Sequence, residues 1–391
     1  MVFIFWIVAS VLIFYLVFIL WMRLGLDKVK KWSPNPTTPT VSVVIAARNE
    51  EWNISGLLDA LKPQSYPADR LEIIVIDDGS TDGTGRILTS FAEQMSNLQY
   101  NRLESIPPGW APKKWALTSG IDRATGEIIL TTDADCRPGP EWVATMVRHF
   151  YYPSTGMVVG PSPLVSERRS LWWEALLLDS CAMDALTAGG ASRGLALTCT
   201  GRNLAYRRQT YEDVGGFKGV EHFVSGDDDL LMQKVAASGN WRITFALNDA
   251  ATVTSPPPAT LGAFIRQRLR FASKGRYYFG LDTGPGFKLI LPFLYLANLA
   301  ALAGLVMFAI TLAPLWLVPV AVKIGAEALL VYPYMDRIER RVRVGTFIVT
   351  ALVHPLYVVL FGALGNLHKL AWKERRYEGS QVSTVDDKIQ H

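Results

Sequence analysis

Leu71-Glu72-Ile73-Ile74-Val75-Ile76-Asp77-Asp78-Gly79-Ser80-Thr81-Asp82-Gly83-Thr84 is the stretch that decides how this chain folds. Leu71 to Ile76 is a short run rich in β-branched residues and reads as a strand. An acidic, glycine-containing turn follows at once, and a helix is predicted to start near Thr84. Working outward, Val41 to Ala46 reads as an earlier strand and Glu127 to Thr131 as a later one that ends at Thr132-Asp133-Ala134-Asp135. Short β-rich runs alternating with helical stretches predict an α/β domain with a mainly parallel sheet. Each acidic cluster then falls just beyond the carboxyl end of a strand, where open α/β sheets bind ligands. The chain shows no internal repeat and no low-complexity tract.

The flanks are of another kind. Of the 391 residues 50% are hydrophobic and 19% charged, and the apolar ones concentrate at the two ends. Val2 to Met22 carries no charge, and a helix of that length spans roughly 30 Å, the hydrocarbon thickness of a bilayer. No basic residue precedes it and no cleavage pattern follows, so a retained anchor is expected over residues 1–24. Arg23, Lys28, Lys30 and Lys31 follow, which puts the next domain in the cytoplasm, behind a proline-stiffened linker over 25–40 with Pro34, Pro36 and Pro39.

Three further apolar segments, Leu289 to Ile310, Leu315 to Tyr334 and Phe347 to Leu364, occupy residues 288–366, ahead of a basic and polar tail over 367–391. The basic loop of Arg337, Arg340, Arg341 and Arg343 belongs inside. An odd number of crossings would then leave Lys369, Lys373, Arg375 and Arg376 outside, so one segment is expected to be re-entrant or interfacial. Lys323 and Glu327, four apart, share a helix face and read as an intramembrane ion pair. A net charge of +4 is too small for a nucleic-acid binder, and three cysteines without C-x-x-C spacing read as reduced thiols.

Asp133 and Asp135 flank one residue, so in extended or turn geometry their carboxylates converge on a hard cation that also holds diphosphate oxygens. Taken alone, Asp77 to Gly83 is also ordinary turn chemistry, and a lone D-x-D is weak. Two such clusters in order after separate strands, roughly fifty residues apart, are harder to obtain from random turns. The five histidines have no metal-ligand spacing. Trp172 and Trp173, on a helix predicted from Leu171 to Leu186, read as core or interface anchors, while Trp110 is left between a loop residue and a stacking platform.

With these motifs in place, residues 41 to 271 resemble the family 2 inverting glycosyltransferases, whose domain is of the glycosyltransferase A type. Val43-Val44-Ile45-Ala46-Ala47-Arg48-Asn49-Glu50-Glu51 resembles the opening strand and nucleotide loop, and Asp77-Asp78-Gly79-Ser80-Thr81-Asp82 the nucleoside-binding turn. Lys113 to Gly120, with Lys114, resembles the basic donor-site segment. The resemblance implies that Ala46, Arg48, Glu50, Asp77, Asp78, Lys113, Lys114, Asp133 and Ala134 bind a nucleotide-sugar, and that Asp133 and Asp135 hold Mg²⁺ or Mn²⁺. Thr200 to Arg207 is similar to the acceptor-side strand, which brings in Gly201 and Asn203.

Where the family usually reads Glu-Asp, this chain reads Asp227-Asp228-Asp229. Alignment on the first two implies Asp228 as the catalytic base, and a shift of one residue moves the role to Asp227 or Asp229. Without the other motifs the triplet reads as a solvated helix start. Gln267-Arg268-Leu269-Arg270-Phe271 resembles the Q-x-x-R-W signature of membrane-integrated members, with phenylalanine for tryptophan. It adds Gln267, Arg268, Arg270 and Phe271 to the donor site, in an interfacial segment over 256–287 that also reads as an amphipathic basic helix.

The expectation is therefore a multi-pass protein of a bacterial cytoplasmic membrane, with a cytoplasmic catalytic domain over 41–255. It would transfer a sugar, by default from a UDP-sugar, to a lipid such as a sphingolipid, diacylglycerol, carotenoid or polyprenyl carrier. A processive polysaccharide synthase and a catalytically inactive membrane scaffold are the alternatives. Four apolar segments are few for a translocating channel, and the retained carboxylates argue against an inactive scaffold.

Overall fold

The computed structural model describes residues 1–29, 38–275, 277–284, 286–365, 370–372 and 375–377. Lys30, Lys31, Pro34 and Pro36 of the expected linker, and Lys369, Lys373 and residues 378–391 of the tail, lie outside the described residues.

The strands are β1 (Val41–Ala47), β2 (Leu71–Asp77), β3 (Leu98–Arg102), β4 (Ile128–Thr131), β5 (Arg137–Pro138), β6 (Thr155–Val159), β7 (Leu204–Arg207), β8 (Arg242–Phe245) and β9 (Val253–Thr254). Seven form one sheet in the order β3-β2-β1-β4-β7-β6-β8, while β5 pairs with β9 beside it. Only β7 runs against the rest of the large sheet, antiparallel to both β4 and β6, so the sheet is mostly parallel. Parallel strands covered on both faces need apolar residues at nearly every position, and β2 shows the alternation directly. Leu71, Ile73 and Val75 enter one core with Leu57, Leu58 and Trp142, whereas Ile74 and Ile76 enter the other with Ala116, Leu117 and Ile121.

The helices are α1 (Val2–Leu26), α2 (Ile54–Leu61), α3 (Thr84–Gln94), α4 (Pro112–Arg123), α5 (Trp142–Val147), α6 (Leu171–Ala191), α7 (Arg208–Asp213), α8 (Asp229–Ser238), α9 (Leu261–Ala272), α10 (Phe287–Thr311), α11 (Leu317–Arg337) and α12 (Val344–Leu364). α3 begins at Thr84, the predicted residue. Among the described residues four helices are long and apolar enough to cross a membrane: α1, α10, α11 with the turn before it, and α12. Their positions are those expected from hydropathy.

The second core does not stop at the domain. It runs from Ile74 and Ile129 of the sheet through Cys181 and Ala185 of α6 to Leu12 and Ile19 of α1 and Leu330 and Tyr334 of α11. α6 is the plate between them. It crosses α1 at small residues: a Cβ on Gly189 would sit 2.6 Å from the Met22 carbonyl oxygen, so only glycine allows the approach. Ser192 then donates to the Gly25 carbonyl at 2.7 Å. On its opposite side, Asp184 of α6 accepts from the Ser162 N–H at 2.8 Å and from the Tyr334 hydroxyl at 3.2 Å. Within the apolar bundle Lys323 pairs with Glu327, whose Oε1 also accepts from the Tyr15 hydroxyl at 3.0 Å. The pair thereby fastens α1 to α11.

α12 departs from a simple hairpin of crossings. At its start Arg343 and Thr346 bind the carboxylate of Glu174 on α6, with the Arg343 pair at 2.9 Å. At its far end Gly365 packs against Ala272, the last residue of α9, with no room for a Cβ. Its two ends therefore meet α6 and α9. Trp172, Phe264, Tyr357 and Phe361 pack between α6, α9 and α12, which is the anchor role expected of Trp172.

Candidate active site

The loops after β1 and β2 are stitched to each other. Asn49 adopts a left-handed φ of 51°, a conformation asparagine tolerates better than most residues. There its side chain accepts from the Thr81 N–H at 2.9 Å while its own N–H donates to Ser80. Arg48 donates to the Asp78 carbonyl at 2.8 Å, and Glu50 and Glu51 donate their N–H groups to Thr84 and Asp82. Asp77 is fully buried and works inside this turn: it accepts from the Ser80 N–H at 2.7 Å and from Tyr100, with Arg102 at 3.8 Å. Of the two leading aspartates, Asp77 builds the turn and Asp78 stands beside Arg48, 3.7 Å away.

Beyond β4 the chain alternates. Ala134 is packed in the core while Asp133 and Asp135 stay half-buried. Lys113, in the first turn of α4, reaches Asp133 and Asp227 at 2.7 Å each, which joins the second and third acidic clusters. Burial works against the Lys113 charge, but the two carboxylates outweigh it and hold its pKa above the usual lysine range. Burial likewise opposes the Asp133 charge; Lys113, Arg202 and Arg270 prevail and keep this carboxyl below its ordinary range.

The third cluster separates into three roles. Asp229 is buried and bound by Lys274 at 2.6 Å and by the Tyr278 hydroxyl. Those partners hold it ionised against the cost of burial. Asp227 is taken by Lys113. Asp228 caps α8, accepting from the Asp229 N–H at 2.7 Å and from the Gly201 N–H at 2.8 Å. Burial and the neighbouring Asp229 charge raise its pKa, the direction a general base requires. Arg270 is half-buried near Asp227, Asp228 and Asp133, whose charges act on it, and points one nitrogen at Ser225, 3.4 Å away.

Several expected residues stand elsewhere. Asn203 is fully buried, bonded to the Trp142 indole at 2.9 Å and to the Pro161 and Ala251 carbonyls at 2.8 Å, so its side chain braces strands instead of facing an acceptor. Lys114 is 1% exposed and donates only to carbonyls, away from the donor side. Arg268 pairs with Asp179 at 2.6 Å, with its guanidinium 5.0 Å from the Phe264 ring centre and 5.8 Å from that of Tyr357, which clamps α9 onto α6 and α12. Gln267 is half-buried one turn before Arg270, and Phe271 is exposed with Arg270 over its ring. Gly201 is at the centre: a Cβ there would lie 2.8 Å from Asp227 Oδ2. Lys274 and Tyr278 were not anticipated. The closeness of Lys274 to Arg270, four residues on and just past the end of α9, was the available signal for the first.

Residues 42–215 match the model of glycosyl transferase family 2. The chain is similar to the probable glycosyltransferase YdaM of Bacillus subtilis, at 31% identity over 64% of this chain and 58% of that protein. It is also similar to a beta-monoglucosyldiacylglycerol synthase of Nostoc, at 29% identity over 50% of this chain and 41% of the synthase. The chain thus spans about half the length of these curated relatives. Among solved structures, a mannosyltransferase from Pyrobaculum calidifontis, in complex with GDP-Man and Mn²⁺, shares the fold at a TM-score of 0.56 and 23% identity, over 90% of this chain and 99% of that one.

Proposed function

This chain carries a family 2 glycosyl transferase domain of the A-type fold, and on that premise we propose that it transfers a sugar from a nucleotide-sugar to a membrane lipid, with inversion and with help from a divalent metal. The observation that carries this reading is the meeting of Asp133, Lys113, Asp227, Gly201, Asp228 and Arg270 in one cleft. That cleft belongs to a domain whose core continues into apolar helices.

The donor set fits a hard cation of the Mg²⁺ or Mn²⁺ kind. Among the described residues no three His, Cys, Asp or Glu side chains group as a closed metal cage. Asp133 and Asp135 offer two half-buried carboxylates on either side of a buried alanine, and Mg²⁺ is commonly held by one or two carboxylates plus substrate phosphates and water. Asp133 and Asp135 would hold the ion, which when bound neutralises the charge building on a departing diphosphate. Lys113 and Arg270 supply fixed positive charge to the same region, and preorganised charge of this kind is commonly the largest catalytic contribution.

Displacement at an anomeric carbon passes through an oxocarbenium-like state, so an acceptor hydroxyl must lose its proton as it attacks. Asp228 is the base. Asp227 and Asp229 are each engaged by a lysine, whereas both Asp228 oxygens are held by neutral N–H groups and its basicity is raised. The similarity to a beta-monoglucosyldiacylglycerol synthase of Nostoc supports a diacylglycerol-type acceptor. A UDP-sugar is the default donor.

The catalytic domain, over 41–255, faces the cytoplasm, as the basic residues after α1 require. α12 lies along the membrane face, because its ends are tied to α6 of the domain and to α9 of the interfacial segment. That placement keeps residues 370–372 and 375–377 on the cytoplasmic side although three apolar helices follow the catalytic domain. Incubating membranes that contain the protein with a panel of sugar nucleotides, and identifying products by mass spectrometry, tests the reading. Label in an organic-soluble glycolipid supports it; label in a polymer would favour a polysaccharide synthase. Absence of any transfer and of metal-dependent donor binding would leave an inactive scaffold.

A further inference from the structure

Lys113 and Lys114 are adjacent, yet they do different things. Lys113 faces the carboxylates. Lys114 turns under the loop that carries the base, and its ammonium donates to three carbonyls of that loop: Val220 at 2.6 Å, Phe223 at 3.0 Å and Ser225 at 3.2 Å. An ammonium has three N–H donors and a neutral amine two, so the tripod is satisfied in full only by the charged form. The side chain is 1% exposed, where an uncompensated cation would be too costly to keep. A buried lysine whose nitrogen lies within hydrogen-bond reach of three carbonyls of one six-residue loop is a fastening, and the loop it fastens matters. Ser225 leads through Gly226, at a φ of 89°, directly into Asp227, Asp228 and Asp229.

The loop is gripped at further points. Ala111, immediately before α4, donates its N–H to the Glu221 carbonyl at 2.8 Å. Ser225 receives Arg270 through its hydroxyl, and Lys113 takes hold of Asp227 beyond it. The first turn of α4 therefore touches the donor-side carboxylate Asp133 through one lysine and the base-bearing loop through the next. α4 thus holds that loop by two charges, Lys114 on its carbonyls and Lys113 on Asp227 just beyond it.

We propose that Lys114 is a positioning residue for sugar transfer: its buried ammonium fixes the carbonyls of residues 220–225 and so sets the distance between the donor held at Asp133 and the base Asp228. This rests on the sugar-transfer reading above. The expected consequence is a loss in the chemical step with little change in donor binding, because Lys114 touches neither the donor side nor the carboxylates.

The test compares wild type with Lys114→Met, Lys114→Gln and Lys114→Arg in detergent micelles containing diacylglycerol. UDP-glucose and GDP-mannose serve as donors, and UDP with Mn²⁺ is the calorimetric probe. Wild type must first transfer sugar; if it does not, the sugar-transfer reading fails and Lys114 is not at issue. Given transfer, Lys114→Met and Lys114→Gln should lose kcat by roughly 10²-fold, the scale of a misplaced catalytic group. UDP affinity should stay within about twofold, and Lys114→Arg should recover part of the loss. Should Lys114→Met fail to fold, the same comparison is read on the glutamine and arginine variants. A kcat within threefold of wild type in any folded neutral variant overturns the proposal. So does a loss of kcat that only parallels a loss of UDP affinity, since that would mark a general structural role.

Discussion

Gly201 gives its backbone N–H to Oδ2 of Asp228 at 2.8 Å, tying the approach to β7 to the first residue ahead of α8. The bond needs a bare backbone. A Cβ at this position would come within 2.8 Å of Asp227 Oδ2 and 3.4 Å of Lys113 Nζ. Gly201→Ala should therefore displace the carboxylates by a few tenths of an ångström to an ångström and lower kcat by about 10–100-fold. Steady-state kinetics with a melting curve as control check this; unchanged kcat would show that the Asp228 geometry is not critical.

Asp228 and Asp229 should separate cleanly by two measurements. Asp228→Asn removes the base and should cost roughly 10²–10⁴-fold in kcat, with less loss if the acceptor is a lipid phosphate that is already an anion. Asp229→Asn instead leaves Lys274 buried without its counter-charge, and breaking such a pair costs about 3–5 kcal/mol of stability. Thermal unfolding should thus report Asp229 and turnover Asp228. A reversed pattern would move the base by one residue.

Burial raises the Asp184 carboxyl to about 6, against the bonds from Ser162 and Tyr334. Its folded pKa lies above the unfolded value, so between about pH 4 and 6 the folded state binds more protons than the unfolded one. The contribution of this residue is therefore most favourable at low pH and declines as pH rises through 6. The difference is on the order of 3 kcal/mol. Asp184→Asn should flatten that part of the stability profile relative to wild type; identical profiles would mean that Asp184 does not titrate there.

The placement of α12 is open to labelling. Val344 and Leu364 are exposed near its two ends, and Cys136, Cys181 and Cys199 are buried. Val344→Cys and Leu364→Cys should both react with an impermeant maleimide in inverted vesicles, and neither in intact cells. Reaction of the two from opposite sides would make α12 a full crossing.

Metal dependence should follow the carboxylates. EDTA should abolish transfer and Mn²⁺ restore it in wild type, while Asp135→Ala should bind UDP no more tightly with Mn²⁺ than without, by calorimetry. Metal-independent UDP binding and turnover by wild type would remove the ion from the mechanism.

The sheet was legible because parallel strands buried on both faces leave an almost unbroken apolar record: β1 and β2 each fall within one residue of the predicted ends. The burial of Ala134 between the half-buried Asp133 and Asp135 follows the alternation that the sequence shows there. Asn203 and Lys114 were read as ligand contacts because the family resemblance implied it; what redirects them is long-range. Trp142 lies 61 residues from Asn203, and Val220 lies 106 from Lys114. Hydropathy measures how apolar α12 is and holds no information about where its ends are tied, which depends on Glu174 and Ala272.

The shared core beneath the sheet has a consequence for biosynthesis. Its members are drawn from Val8 to Ala351, so a ribosome releases the strands and α6 well before α10, α11 and α12 exist to cover them. The nascent domain must wait, with an oily flank exposed, until the last helices are inserted. An excised fragment of residues 41–255 would carry that flank permanently and should be recovered as aggregate.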